Sequence, residues 1–154
     1  MANSQSMCTS FLGELLTATH NFTTGTGNTF KAALYTTTAS PAINAATTAY
    51  SATGEVSGTG YTAGGVTVTN GTSPLASNSS ATAGVGYWTP SAPLVYSTVT
   101  LTTAFDTVLI YNSSQSNKAV SVHTFGSQTI TAGTITLTMT SNSTTTALLR
   151  LSTT

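Results

Sequence analysis

FDTVLIYNSSQSNKAVSVHTF, Phe105 to Phe125, reads as strand, polar loop and strand, and it decides the fold class. Asp106 to Tyr111 is a nearly continuous run of β-branched and aromatic residues, Asn112 to Asn117 is wholly polar, and Lys118 to Phe125 resumes with Val120, Val122 and Thr124 in alternation. Val108, Leu109 and Ile110 show no polar alternation, so this strand is expected to be covered on both faces and central in its sheet. Its partner should be the neighbouring strand.

Outward from the hairpin the pattern stays β. Phe30 to Thr36, Val66 to Asn70, Val85 to Trp88, Leu94 to Thr102, Thr134 to Thr140 and Ala147 to Leu151 each read as strands. In Thr134 to Thr140, Ile135, Leu137 and Met139 should face inward and the threonines outward. Leu75 to Ala83 is a small-residue stretch with no firm assignment, and Pro90 and Pro93 should stop the strand at Trp88. The one helix expected is Thr9 to about Thr17, capped by Thr9 or Ser10, with Phe11, Leu12, Leu15 and Leu16 as a stripe that plugs the β-core or packs on a neighbouring subunit. Residues 37 to 65 should form a long ordered loop rich in Gly, Ala and Thr, with one short strand near Tyr50 to Val56. The expected fold is all-β: a single antiparallel β-sandwich or jelly-roll-like domain over residues 1–154, with seven to nine strands and one short N-terminal helix.

Composition narrows the function. Only 4% of the 154 residues are charged, three basic and three acidic, and about a quarter are Thr. A surface of hydroxyls, amides and methyls with no net charge does not repel copies of itself or a large protein partner. Three isolated cations cannot neutralise a phosphate backbone, so no nucleic-acid partner is expected. No apolar run approaches a membrane span, the N-terminus does not read as a secretory signal, and the lone Cys8 fits folding in a reducing cytoplasm.

Motifs for chemistry fail on inspection. Gly58 to Ala63 matches a permissive dinucleotide fingerprint but leads into a strand where a helix is needed, and Gly60 to Gly65 has phosphate-loop spacing with Val66 and Thr67 where Lys and Ser or Thr belong. The glycines more simply permit a tightly folded loop. Asp106 and His123 flank one hairpin and are expected to meet as a structural pair, with a hydrolytic constellation as the weaker reading. Two histidines and one distant cysteine make a poor metal site, so no metal, cofactor or enzymatic activity is expected. The Thr-x-Thr rows also raise an ice-binding surface, but no fixed repeat supports it.

Several segments taken together carry a resemblance. Phe11 to Leu16 followed by His20-Asn21-Phe22, then Phe30 to Thr36, Thr53 to Gly65 (TGEVSGTGYTAGG), Leu109 to Asn112 (LIYN) and Lys118 to Val120 resemble, in order and spacing, a family of small β-rich structural proteins of tailed bacteriophages. The stretch from about Gly71 to Leu94 departs from it. The resemblance implies a virion component without assigned enzymatic activity, made in the host bacterial cytoplasm. With the charge-poor surface and long loop, the expectation is a capsid decoration (cement) protein on the capsid exterior, homo-oligomeric, a trimer in preference to a dimer, and bound to the major capsid protein. Glu55, Tyr61, Tyr87 and Trp88 are the expected partner contacts. The alternative is a tail, collar or fibre component that stacks a host glycan on Tyr87, Trp88 and Tyr96.

Overall fold

The computed structural model describes residues 2–77 and 84–153. Nine elements follow in order: β1 (Ser6–Met7), α1 (Thr9–Leu16), β2 (Phe30–Thr36), β3 (Val66–Thr67), β4 (Leu75–Ser77), β5 (Val85–Trp88), β6 (Leu94–Asn112), β7 (Lys118–Leu137) and β8 (Leu149–Ser152). The strands form two antiparallel sheets, β1-β7-β6-β2-β3 and β4-β5-β8. The all-β class, the antiparallel pairing and the single short helix are as the sequence predicts. No helix among the described residues is long and apolar enough to cross a membrane.

The hairpin that opens the sequence reading is the centre of the larger sheet, with β6 between β7 and β2. From 107 to 112 every residue of β6 is buried. Alternation sends Tyr111 to one face, where it stacks on Tyr50 of the 37–65 loop with ring centroids 4.7 Å apart. Val108 and Ile110 point to the other face, where they meet Leu148 and Met139 around a small cavity of about 110 Å³. Cover on both faces is why this run carries no polar alternation.

The hairpin is also twice as long as its sequence signature. The strands expected separately at 94–102 and 134–140 are the distal halves of β6 and β7, pairing Leu94 with Leu137 and Tyr96 with Ile135. No Gly or Pro stands between 102 and 105 to turn the chain. The irregularity is instead absorbed as bulges, with Thr98 and Ala132 at φ 53° and 47°. The expected alternation holds: Ile135, Leu137 and Met139 are half-buried and Thr134, Thr136, Thr138 and Thr140 are exposed.

Other boundaries shift. The strand expected at 50–56 does not form; a single bridge, Tyr35 to Glu55, takes its place. The strand expected at 66–70 keeps only two residues. Residues 75–77 form β4, and the rest of the 75–83 stretch lies outside the described residues. The N-cap of helix α1 is Cys8, not Thr9 or Ser10, and it makes no side-chain cap hydrogen bond. Neighbouring backbone does that work, since Cys8 N–H donates to Val120 O (3.0 Å) and Thr9 N–H to Ala45 O (2.8 Å). Phe11 is buried beside His20 and Phe22, so the helix docks on its own core, while Leu12 and Leu16 stay exposed.

Leu109 is fully buried at the centre of the larger sheet. Leu109→Ala should cost about 2–5 kcal/mol of unfolding free energy, whereas Thr136→Ala should stay within about 0.5 kcal/mol. Urea denaturation of the three proteins checks both.

Candidate functional site: an apolar groove beside the helix

The four residues expected to meet partners fall into two groups. Glu55 and Tyr61 belong to a closed polar knot. The Glu55 carboxylate accepts hydrogen bonds from Tyr50 Oη (2.6 Å), Tyr61 Oη (2.7 Å) and Gly64 N–H (2.7 Å). Tyr61 Oη accepts in turn from Leu34 N–H at 3.0 Å, and Tyr111 Oη donates to Gly64 O at 2.8 Å. Burial pushes the Tyr61 and Tyr50 hydroxyls up, reinforced by the hydrogen bonds each makes to Glu55, so both stay protonated donors. The knot ties the 37–65 loop along β2, where Val56 N–H also donates to Leu34 O at 3.0 Å. The loop then runs beside β6, with Thr59 bridged to Thr100.

The glycine motif serves this packing. Gly60 (φ 78°) lies against Thr98 O and Gly65 (φ 72°) against Ala32 O so closely that any side chain would collide with backbone. A pattern that imitates a nucleotide fingerprint is thus a close backbone approach.

Tyr87 and Trp88 sit at the other candidate region. Trp88 is only 2% exposed and donates Nε1–H to Asn70 Oδ1 (3.0 Å) and Thr72 O (3.1 Å). Tyr96 is equally buried, its hydroxyl donating to Ala32 O at 2.8 Å. The stacking platform of Tyr87, Trp88 and Tyr96 therefore does not exist as a surface; both buried rings serve the core, and only Tyr87 is partly open.

What Trp88 does is line a groove. Phe22 stacks on Phe30 (4.3 Å, 7°) and leans on Trp88 (4.7 Å). Helix α1, the turn at 20–23 and the face of the β4-β5-β8 sheet enclose an apolar space of about 480 Å³ above that aromatic wall. Phe11, Leu15, Leu149 and Tyr87 line its sides, and Leu75 and Leu151, 50% and 47% exposed, form its rim. No Lys, Arg, Asp or Glu lines it. The groove offers shape and contact area to an uncharged side chain.

Its back wall is held by a polar network that sequence reasoning missed. Glu14 Oε2 meets His20 Nε2 at 2.7 Å and Glu14 Oε1 meets Lys118 Nζ at 2.6 Å, joining helix, turn and hairpin. Asn112 Oδ1 accepts from Ser114 N–H (3.1 Å), which turns its amide nitrogen toward Asn28 Oδ1 (2.9 Å) and His20 Nδ1 (3.1 Å). His20 Nδ1 is thereby an acceptor, and Nε2 carries the hydrogen donated to Glu14. No spacing motif announces this cluster. The available signal was scarcity, since a chain with three acids that half-buries each of them must pair them.

The pair expected between Asp106 and His123 does not form. Asp106 Oδ1 accepts from Asn3 Nδ2 (2.9 Å) and Thr107 Oγ1 (2.6 Å), while His123 lies opposite Val108 and bonds Ser121 Oγ through Nε2 at 2.9 Å. A register shift between Phe105 and Thr107 separates them. Among the described residues no group of three or more His, Cys, Asp or Glu could hold a metal ion. Cys8 is buried, which pushes its thiol up to about 12 and keeps it unreactive. No protein-family model, curated protein or solved structure matches the chain.

Two groups make stability fall with acid, in different windows. Burial holds His123 down at about 4, so its contribution is complete above about 6.5 and is lost as pH falls toward 4. Burial would raise Glu14, but the hydrogen bonds from Lys118 and His20 and the charge of Lys118 outweigh it and hold the carboxyl below its ordinary 4.5. Its contribution is complete above 4.5 and disappears as pH falls through the lower folded value. Urea midpoints measured from pH 8 to 3 should decline in two stages, with His123→Asn flattening the upper stage and Glu14→Gln the lower.

Proposed function

We propose that this chain is a structural virion protein of a tailed bacteriophage, a capsid decoration protein that binds the major capsid protein lattice and associates with further copies of itself. The observation that carries the reading is the uncharged apolar groove on a stiff β-scaffold. An occupant held there is recognised by shape and buried area, which suits a partner presented in a fixed lattice.

Three further features support it. Six charged side chains in 154 residues leave little electrostatic barrier to close packing on a large assembly. The 37–65 loop is tied down by Glu55 and its tyrosines, so a broad surface is preorganised and little ordering entropy is lost on binding. The segments around His20-Asn21-Phe22, 53–65 and 109–112 resemble the phage family, and in them His20 belongs to the polar network, Phe22 to the aromatic wall of the groove, and Glu55 and Tyr111 to the knot. The glycan-binding alternative loses its aromatic platform, because Trp88 and Tyr96 are interior.

Mass spectrometry of purified virions should find the protein at hundreds of copies, as expected of a capsid component; a dozen or fewer copies, mapped to the tail, would sink the proposal. Leu75→Asp with Leu151→Asp changes two exposed rim residues and should leave the fold intact. Each buried leucine is worth about 1.5–3 kcal/mol, so capsid occupancy should drop more than about tenfold in a binding titration.

A further inference from the structure

The long arm of the hairpin has one open side. Beyond the ends of β1 and of the Ala49 bridge to Lys118, the outer edge of β7 from 124 to 137 meets no backbone group of another segment among the described residues. Open edges are normally guarded by Lys, by inward-pointing charge or by Pro. Here no charged residue and no Pro occurs between Lys118 and Arg150.

The same edge is nearly palindromic. Residues 129–136 read Thr-Ile-Thr-Ala-Gly-Thr-Ile-Thr, symmetric about the Ala132–Gly133 bond apart from those two. In a regular strand Ile130 and Ile135, five apart, would face opposite sides. The bulge corrects this. Leu101 pairs with Ile130 and Val99 with Gly133, so β7 carries one extra residue there, with Ala132 at φ 47°. Ile130 and Ile135 are thereby on the core side, both half-buried, and Ile130 Cδ1 lies 2.6 Å from where a Gly133 Cβ would stand. Thr129, Thr131, Thr134 and Thr136 are exposed on the opposite face.

We propose that this edge is a homodimer interface, in which β7 pairs antiparallel with β7 of a second copy about a dyad at Ala132–Gly133. A dyad normal to the sheet keeps each residue on its own face. Ile130 then opposes Ile135 of the other copy, Thr131 opposes Thr134, and Thr129 opposes Thr136. Every such pair matches in type and in face, and β-branched and Thr–Thr cross-strand pairs are favourable ones. A bulge commonly protects an edge; here it supplies the phase that makes the edge complementary to itself. The zero net charge removes repulsion between the copies. A dyad closes with two copies, so this interface replaces the expected trimer with a dimer, and it does not depend on any capsid partner.

Sedimentation equilibrium of the full chain should show a dimer. Thr134→Lys with Thr136→Lys places like charges along the joint edge and should raise the dissociation constant at least about tenfold, with the far-ultraviolet circular dichroism unchanged. The register has its own readout, because Cys8 is buried and silent. Thr131→Cys and Thr134→Cys variants, oxidised after mixing, should form a disulfide-linked pair containing one of each, while either alone should cross-link weakly. A wild-type monomer up to about 100 µM, a dimer indifferent to the lysines, or equal cross-linking in mixed and separate samples would overturn the proposal.

Discussion

A strand buried on both faces has to find cover for both, and in this chain much of that cover comes from segments without regular structure. From 107 to 112, β6 lies between the 37–65 loop on one face and the segment around Met139 and Leu148 on the other. Loops carry many backbone polar groups, and each one drawn over a core needs a hydrogen-bond partner. The tyrosine hydroxyls and Glu55 meet that need on the loop side, and Asn112, His20 and Asn28 meet it at the hairpin tip.

That constraint accounts for where the few ionisable groups went. Glu14 and Lys118 pair at the junction of helix and hairpin, Asp106 caps contacts from Asn3 and Thr107, and Glu55 centres the loop knot. Four of the six formal charges are thus engaged in holding segments together. Apart from Lys31 and Arg150, what remains outside is apolar, hydroxylic or amide, and among the described residues two open features lie there, the groove beside α1 and the outer edge of β7. Both suit partners recognised by shape and backbone geometry, as the proposed role requires.

The glycine-rich stretch at 53–65 shows how one pattern can carry two meanings. Spacing alone cannot distinguish a loop that cradles phosphate from one that lies flat on neighbouring backbone, because both need residues without a side chain. The tertiary contacts of Gly60 with Thr98 and of Gly65 with Ala32 decide it.

By itself the sequence determined the all-β class, the central covered strand at 107–111, the ordered loop and the inward set Ile135, Leu137 and Met139. Each follows from local periodicity and composition, which act over a few residues. Only the tertiary structure decided that 94–102 and 134–137 extend the same hairpin, that Asp106 and His123 part company, that Trp88 is a wall of the groove, and that Glu14 meets His20 and Lys118. Those outcomes depend on bulges that shift register by one or two residues and on contacts between segments as much as a hundred residues apart, and no local pattern records either.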